Sequence, residues 1–239
     1  QILDSDDQYR MVRRVLRELQ LDETSWPPKQ AQWFINGRKD EGLRPEHVDP
    51  RDNPIQKQLV SIYQAYEQAC RRGGVVDFAE LLLRAHELWR DRPDLLAHYR
   101  QRFRHILVDE FQDTNAIQYA WVRLLAGDSG QVFAVGDDDQ SIYGWRGGRV
   151  GKIHQFRRGF PNVTLIRLEQ NYRSTGTILS AANGVIAHNA DRLGKELWTD
   201  GEKGEPVRIY GAFNEIEEAR FVVDRIRTWH REGGARSEA

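Results

Sequence analysis

Cysteine is nearly absent: Cys70 is the only one in 239 residues. That excludes an internal disulfide framework and any zinc site built on cysteines. No apolar run approaches the ~20 residues that a helical bilayer span needs, and the first residues lack the apolar core of a secretory signal. A surplus of charge is also missing. Lys and Arg number 35 against 36 Asp and Glu, so bulk charge does not mark a nucleic-acid binder. The seven histidines do not pair at metal-ligand spacing and read as ordinary residues. There is no internal repeat and no low-complexity tract. A phosphate-cradling G-x-x-x-x-G-K-[ST] loop is absent as well. The nearest stretch, Gly147–Ile153, has the wrong glycine spacing and no Ser or Thr after its lysine.

What is present suffices for one or two domains with a real core. Residues 1–100 carry helical periodicity. Val12, Val15, Leu16 and Leu19 form one stripe, and Leu59, Ile62, Tyr63, Tyr66 and Ala69 a second. Phe78, Leu81, Leu82, Ala85, Leu88 and Trp89 form a third, opened by a capping box of Asp77 and Glu80. Cys70 lies on a helix face and reads as a small packing residue. The proline-rich stretch Trp26–Pro54 predicts loops around one short helix near Gln30–Arg38.

Past residue 103 the pattern changes to strands alternating with helices. Expected strands are His105–Val108, Val132–Val135, Thr164–Leu168 and Val207–Phe213. Expected helices run around Ile117–Leu125, Ile178–Ile186 and Ile216–Trp229. Such alternation predicts an α/β fold with a parallel sheet.

Charge is segregated within this half. Residues 106–139 hold seven acids and one base, and residues 140–175 hold seven bases and one acid. An acidic block can hold a divalent cation, and a basic block can hold phosphates.

Four stretches can carry chemistry. In Ile106–Glu110, an apolar run ends in Asp109 and Glu110, which places two carboxylates at the carboxyl edge of a parallel sheet, where such sheets bind ligands. There an Asp can hold Mg²⁺ and a Glu can deprotonate water; solvated acids after a strand are the plainer alternative. Val135–Gln140 repeats the pattern with Asp137, Asp138 and Asp139 before Gln140. This fits a γ-phosphate contact, a polar turn, or the acidic centre of a metal-dependent nuclease. Ser141–Arg149 interleaves Tyr143 and Trp145 with glycines, Arg146 and Arg149. Stacking rings beside arginines suit single-stranded nucleic acid, although both rings also fit a core. In Leu168–Ser174, Arg173 stands where an arginine finger could reach a phosphate and Tyr172 where a ring could stack on a purine; a surface arginine is the alternative.

Taken together and in this order, these stretches resemble motifs II, III and IV of superfamily 1 DNA helicases of the UvrD/PcrA/Rep type. The matching residues are Val108–Asn115 (VDEFQDTN), Val135–Gly148 (VGDDDQSIYGWRGG) and Leu168–Ser174 (LEQNYRS). Gly74–Trp89 (GVVDFAELLLRAHELW) and Leu197–Gly201 (LWTDG) extend the resemblance along the chain. It implies a 3′→5′ ATP-dependent DNA helicase of bacterial cytoplasm, associated with the nucleoid and acting in DNA repair. Its partners would be single-stranded DNA, duplex junctions and repair proteins, with no membrane role.

The resemblance also implies a partial RecA-like sheet, of the P-loop NTPase kind, with an all-helical insertion. Residues 1–86 would be the insertion, 87–172 the rest of the first core and 173–239 the start of the second. Asp109, with Glu110 beside it, would hold Mg²⁺, and Glu110 would act as catalytic base. Gln140 would sense the γ-phosphate of ATP, Arg173 would be the finger, and Tyr172 would lie near adenine. Tyr143, Trp145, Arg146 and Arg149 would meet DNA. The family's phosphate loop would precede Gln1 and its later motifs would follow Ala239, so the segment by itself is expected not to hydrolyse ATP. A DNA-binding module without enzymatic activity is the alternative, and a nuclease a more distant one.

Overall fold

A computed structural model describes residues 1–128, 130–141, 152–189 and 194–234. Two compact units emerge, one from Gln1–Leu165 and the other from Ile166–Ala190 with Gly194–Ala239.

The first unit opens with a helical layer of α1 (Ser5–Glu18), α2 (Pro28–Asp40) and α3 (Pro54–Gly73). Local chemistry sets their ends. The Asp4 carboxylate accepts from the Asp7 N–H at 2.7 Å, and the Asn53 side chain accepts from Ile55 and Gln56. Each thereby satisfies a donor that a helix start leaves without an intrahelical partner. Pro28 and Pro54 occupy first-turn positions, where a missing N–H costs nothing. α3 stops at Gly74, whose φ of 62° needs a residue without Cβ.

The expected stripes of α1 and α3 meet as drawn. Val12, Val15 and Leu16 pack with Ala31 and Ile35 of α2 and with Leu59, Ile62, Tyr63 and Tyr66 of α3. Each large side chain buried this way contributes ~1.5–3 kcal/mol. Cys70 is buried in the same core, and burial pushes its thiol pKa up, as suits a packing residue. The short helix expected at Gln30–Arg38 forms as α2 and extends two residues at each end.

Below this layer, β1 (Ile2–Leu3) pairs in parallel with β2 (Val76–Asp77), and α4 (Phe78–Asp91) follows. Here the structure corrects the sequence. Only part of the third stripe is buried: Trp89 is buried and Leu82 and Ala85 are half-buried, but Phe78, Leu81 and Leu88 are exposed, whereas Glu80 and Leu83, outside the stripe, are buried. The cause is a cluster of buried charge. Lys39 Nζ sits 2.7 Å from Asp77 Oδ2 and 2.8 Å from Glu80 Oε2. Arg44 bonds Glu67, Glu80 and Glu87, and the Tyr66 hydroxyl donates to Asp77 at 2.8 Å. Turning Glu80 and Glu87 toward these cations puts carboxylates on the inward side of α4 and leaves Phe78, Leu81 and Leu88 outside it. Only half of the capping box survives. Asp77 caps the Glu80 N–H at 2.7 Å, while the Glu80 carboxylate goes to Lys39, Arg44 and Arg84.

A second core surrounds α5 (Pro93–Arg102), β3 (His105–Val108), α6 (Ala116–Ala126) and β4 (Gln131–Ala134). Trp89, Leu96, Ile106, Val122 and Leu125 fill it, and Trp89 stacks on Trp121 with centroids 4.5 Å apart. β3 and β4 run parallel, as the alternation predicts. Ile106 faces the core, whereas Leu107 and Phe133 on the other face are exposed. α7 (Lys152–Gly159) is the last helix of this unit among the described residues.

The second unit holds α8 (Gly176–Ile186) and α9 (Glu215–Arg231), both at expected positions. The strands expected at Thr164–Leu168 and Val207–Phe213 do not form. A strand needs a neighbour for its N–H and C=O groups, and among the described residues here the one pairing is an isolated bridge, Gln170 to Trp198. Ile209 and Phe213 are accordingly exposed. No helix among the described residues is long and apolar enough to cross a membrane.

Candidate active site

The register of β3 and β4 places the site. Ile106 lies opposite Val132, Leu107 opposite Phe133 and Val108 opposite Ala134. Both strands therefore end level, and the segments that leave them emerge side by side. Two further bonds prolong the pairing: Val135 N–H donates to Val108 O at 2.8 Å, and Phe111 N–H to Val135 O at 2.9 Å. Asp109 and Glu110 thus lie at the same carboxyl edge as the turn Asp137–Gln140.

Asp109 and Glu110 are both exposed. The Asp109 Oδ1 accepts from the Glu110 N–H at 2.9 Å. Glu110 adopts φ 50° and ψ 44°, a left-handed conformation that costs a non-glycine residue ~1–3 kcal/mol. One turn of 3₁₀ helix follows, Phe111–Asp113. Phe111 anchors it, buried edge-on against Tyr119 and Phe156.

Gln112 is 5% exposed and uses both ends of its amide. Its Nε2 donates to Glu110 Oε2 at 2.6 Å, and its Oε1 accepts from the Asp137 N–H at 2.9 Å. Gly136 makes room for this: a Cβ there would lie 2.8 Å from Gln112 Oε1. Beyond it, Asp137 Oδ1 accepts from the Asp139 N–H at 3.0 Å, and Oδ2 from Gln140 Nε2 at 2.8 Å. The start of α6 is fixed beside the site by a full capping box of Asn115 and Gln118. Asn115 also donates to Asp40 at the end of α2, at 2.9 Å.

Hard oxygen donors suit Mg²⁺, and the exposed Asp109 carboxylate fits that role. Carboxylate oxygens of Asp137, Asp138 and Asp139 also come within 4.8 Å of one another, the one such acidic group among the described residues.

Tyr172 and Arg173 belong to the second unit. Asn171 folds the chain there, accepting from the Arg173 N–H at 2.9 Å and the Ser174 N–H at 2.7 Å. Both residues are exposed, Tyr172 at 86%, and the Tyr172 hydroxyl donates to Gln170. The structure thus brings Asp109, Glu110 and Gln140 to one sheet edge and sets Tyr172 and Arg173 on a turn before α8. Tyr143, Trp145, Arg146 and Arg149 lie outside the described residues. The sequence reading assigned Gln112 no role, although it lies within the quoted motif. The signals available were its place two residues after Glu110 and a glycine, Gly136, directly after the next expected strand.

Paired carboxylates beside a glutamine turn, at the carboxyl edge of parallel strands, are an arrangement that can hold a cation and contact a phosphate. Comparison with known proteins narrows the class. The chain belongs to the UvrD/REP helicase family: residues 1–161 match the UvrD/REP helicase N-terminal domain and residues 166–238 the UvrD-like helicase C-terminal domain. It is 63% identical over 238 residues to DNA helicase II of Escherichia coli (strain K12), a match covering 100% of this chain and 33% of that protein. With DNA helicase II of Haemophilus influenzae it shares 57% over 234 residues, covering 98% and 32%. With ATP-dependent DNA helicase PcrA of Staphylococcus epidermidis it shares 39% over 238 residues, covering 99% and 33%. The chain spans about a third of the length of these relatives.

Proposed function

We propose that the protein carrying this chain is an ATP-dependent DNA helicase that moves 3′→5′ on single-stranded DNA, opens duplex junctions and serves DNA repair in the bacterial cytoplasm, at the nucleoid. The observation that carries this reading is the level ending of β3 and β4, which sets Asp109 and Glu110 beside the Gln140 turn. Residues 1–86 act as the helical insertion, 87–172 as the later part of the first core and 173–239 as the start of the second.

The chemistry is hydrolysis of ATP to ADP and phosphate. A water oxygen attacks the γ-phosphorus while the bond to the β–γ bridging oxygen breaks. Glu110 accepts the proton that the water loses. Asp109, with Glu110 beside it, would hold Mg²⁺, which would supply positive charge to offset the phosphate oxygens. Gln140 contacts the γ-phosphate, Arg173 neutralises charge that develops on it, and Tyr172 stacks near the adenine. Tyr143 and Trp145 stack on DNA bases, with Arg146 and Arg149 on phosphates.

In the full-length gene product, Glu110→Gln keeps the shape and removes the base. DNA-stimulated ATP hydrolysis should fall by at least ~100-fold while nucleotide still binds. Undiminished turnover by this variant would overturn the reading.

A further inference from the structure

We propose that Gln112 is a positioning residue that ties the Glu110 carboxylate to the Asp137–Gln140 turn. It thereby makes the geometry of Glu110 depend on the state of Gln140. The inference rests on the nucleotide reading given above and extends it to a residue with no assigned part.

The polarity of the amide is the first ground. Gln112 Nε2 faces a carboxylate oxygen, which can only accept, and Oε1 faces a backbone N–H, which can only donate. Reversing the amide would set donor against donor and acceptor against acceptor. One orientation is therefore fixed, and a buried amide so paired resists displacement because either broken bond leaves a buried polar group without a partner.

Continuity is the second ground. From Glu110 Oε2 the line runs through the Gln112 amide to the Asp137 N–H, and from Asp137 Oδ2 to Gln140 Nε2, at 2.6, 2.9 and 2.8 Å. Gln140 stands at its exposed far end, and Glu110 at the near end.

The third ground is the fit of the surroundings. The Phe111 N–H is held by Val135 O at 2.9 Å, which fixes the backbone next to Gln112 against the chain leaving β4. Gly136 leaves space that a methyl group would remove from Gln112 Oε1. Glu110 itself is held in a left-handed conformation, so its carboxylate direction is not what an extended strand end would give. A tie from a buried neighbour is the means by which such a direction is maintained. When a ligand pulls on Gln140, the Asp137 loop moves or stiffens, and the Gln112 amide passes that change to Glu110.

The test uses the full-length gene product with saturating single-stranded DNA. Steady-state ATP hydrolysis is measured for Gln112→Met, Gln112→Glu, Gln140→Ala, the double variant Gln112→Met/Gln140→Ala, and Glu110→Gln as reference. Gln112→Met removes both bonds at similar volume. Its kcat should fall about 10- to 100-fold, the range for loss of a group that orients a reacting one. KM for ATP should move by less than about threefold, because substrate contacts stay. Gln112→Glu keeps the acceptor for Asp137 but turns an oxygen toward Glu110, and it should lose kcat as well. The double variant should be no slower than the slower single variant, since both changes cut one line.

A kcat for Gln112→Met and Gln112→Glu within about twofold of the unmodified protein would overturn the inference, and so would losses that multiply in the double variant. If Gln112→Met loses its thermal unfolding transition, the isosteric Gln112→Glu decides alone. Failure of the underlying reading looks different: Glu110→Gln then hydrolyses ATP normally. An inert Glu110→Gln beside fully active Gln112 variants sinks only the tie.

Discussion

Glu80 shows how far a single residue can depart from what its neighbours in sequence suggest. Beside Asp77 it looks like the second half of a capping box. In the fold it is buried, and burial alone would raise its pKa. The charge and hydrogen bond of Lys39, then Arg84 and Arg44, outweigh burial and lower it from 4.5 to about 2. The sign follows directly. A group whose folded pKa lies below its unfolded one stabilises the fold above the unfolded value and loses that contribution as pH falls toward the folded value. At ~1.36 kcal/mol per pH unit of displacement, this is on the order of 3 kcal/mol. Chemical denaturation midpoints measured from pH 7 down to pH 2.5 should therefore drop steeply below about pH 4.5. In Glu80→Gln the midpoint should start lower at pH 7 and drop less. Equal pH dependence in the two proteins would refute this account. Nothing local in the sequence reveals the cluster, because Lys39 and Asp77 are 38 residues apart and meet only once α2 and α4 have packed. Gln112 escaped notice for a similar reason: its amide bridges two segments, and only folding shows that both ends are used.

At the scale of elements, legibility followed the source of each element's stability. Helices whose stripes face a core formed where the periodicity put them, as with α1, α3 and α6. β3 and β4 also formed as expected, because each supplies the other with backbone partners. Thr164–Leu168 and Val207–Phe213 have the composition of strands but no ladder, and composition does not report whether a neighbour exists. α4 formed in place with Trp89 of its stripe in a core, but charge pairing at Glu80 and Glu87 took part of the inward side and left Phe78, Leu81 and Leu88 exposed. The start of α6 carries a further prediction. Asn115 caps the helix through the Gln118 N–H at 2.9 Å and also holds Asp40. Asn115→Ala removes both bonds. It should destabilise the protein by about 1–2 kcal/mol, seen as a lower urea midpoint with an unchanged slope. A midpoint identical to that of the unmodified protein would remove Asn115 from the set of groups that join α6 to the helical layer.

Across the whole chain, near-zero net charge conceals two blocks of opposite sign, and the functional motifs map onto them. The acidic block supplies the sheet edge of Asp109, Glu110 and the Asp137 turn. The basic block begins beyond Gln140 and includes Arg146, Arg149 and Arg173. This division was legible because charge along a sequence needs no folding to be counted. The bonds that run from Glu110 through Gln112 to the Asp137–Gln140 turn were not, since they join side chains that meet only in the fold. The proposed DNA contacts separate into two physical kinds, and they should respond differently to salt. A stacking ring contributes affinity that salt barely alters, whereas an arginine on a phosphate releases counterions when it binds. In the full-length protein, Trp145→Ala should weaken single-stranded DNA binding by ~1–3 kcal/mol, about 5- to 150-fold in Kd. The slope of log K against log salt should not change. Arg149→Ala should make that slope shallower by about 0.7, the contribution of one single-strand phosphate contact. Fluorescence anisotropy with a labelled oligonucleotide across a salt series measures both quantities at once. A changed slope in Trp145→Ala would move that residue's effect from stacking to electrostatics. Unaltered affinity would take Trp145 out of the DNA contact altogether and leave the arginines to hold the strand alone.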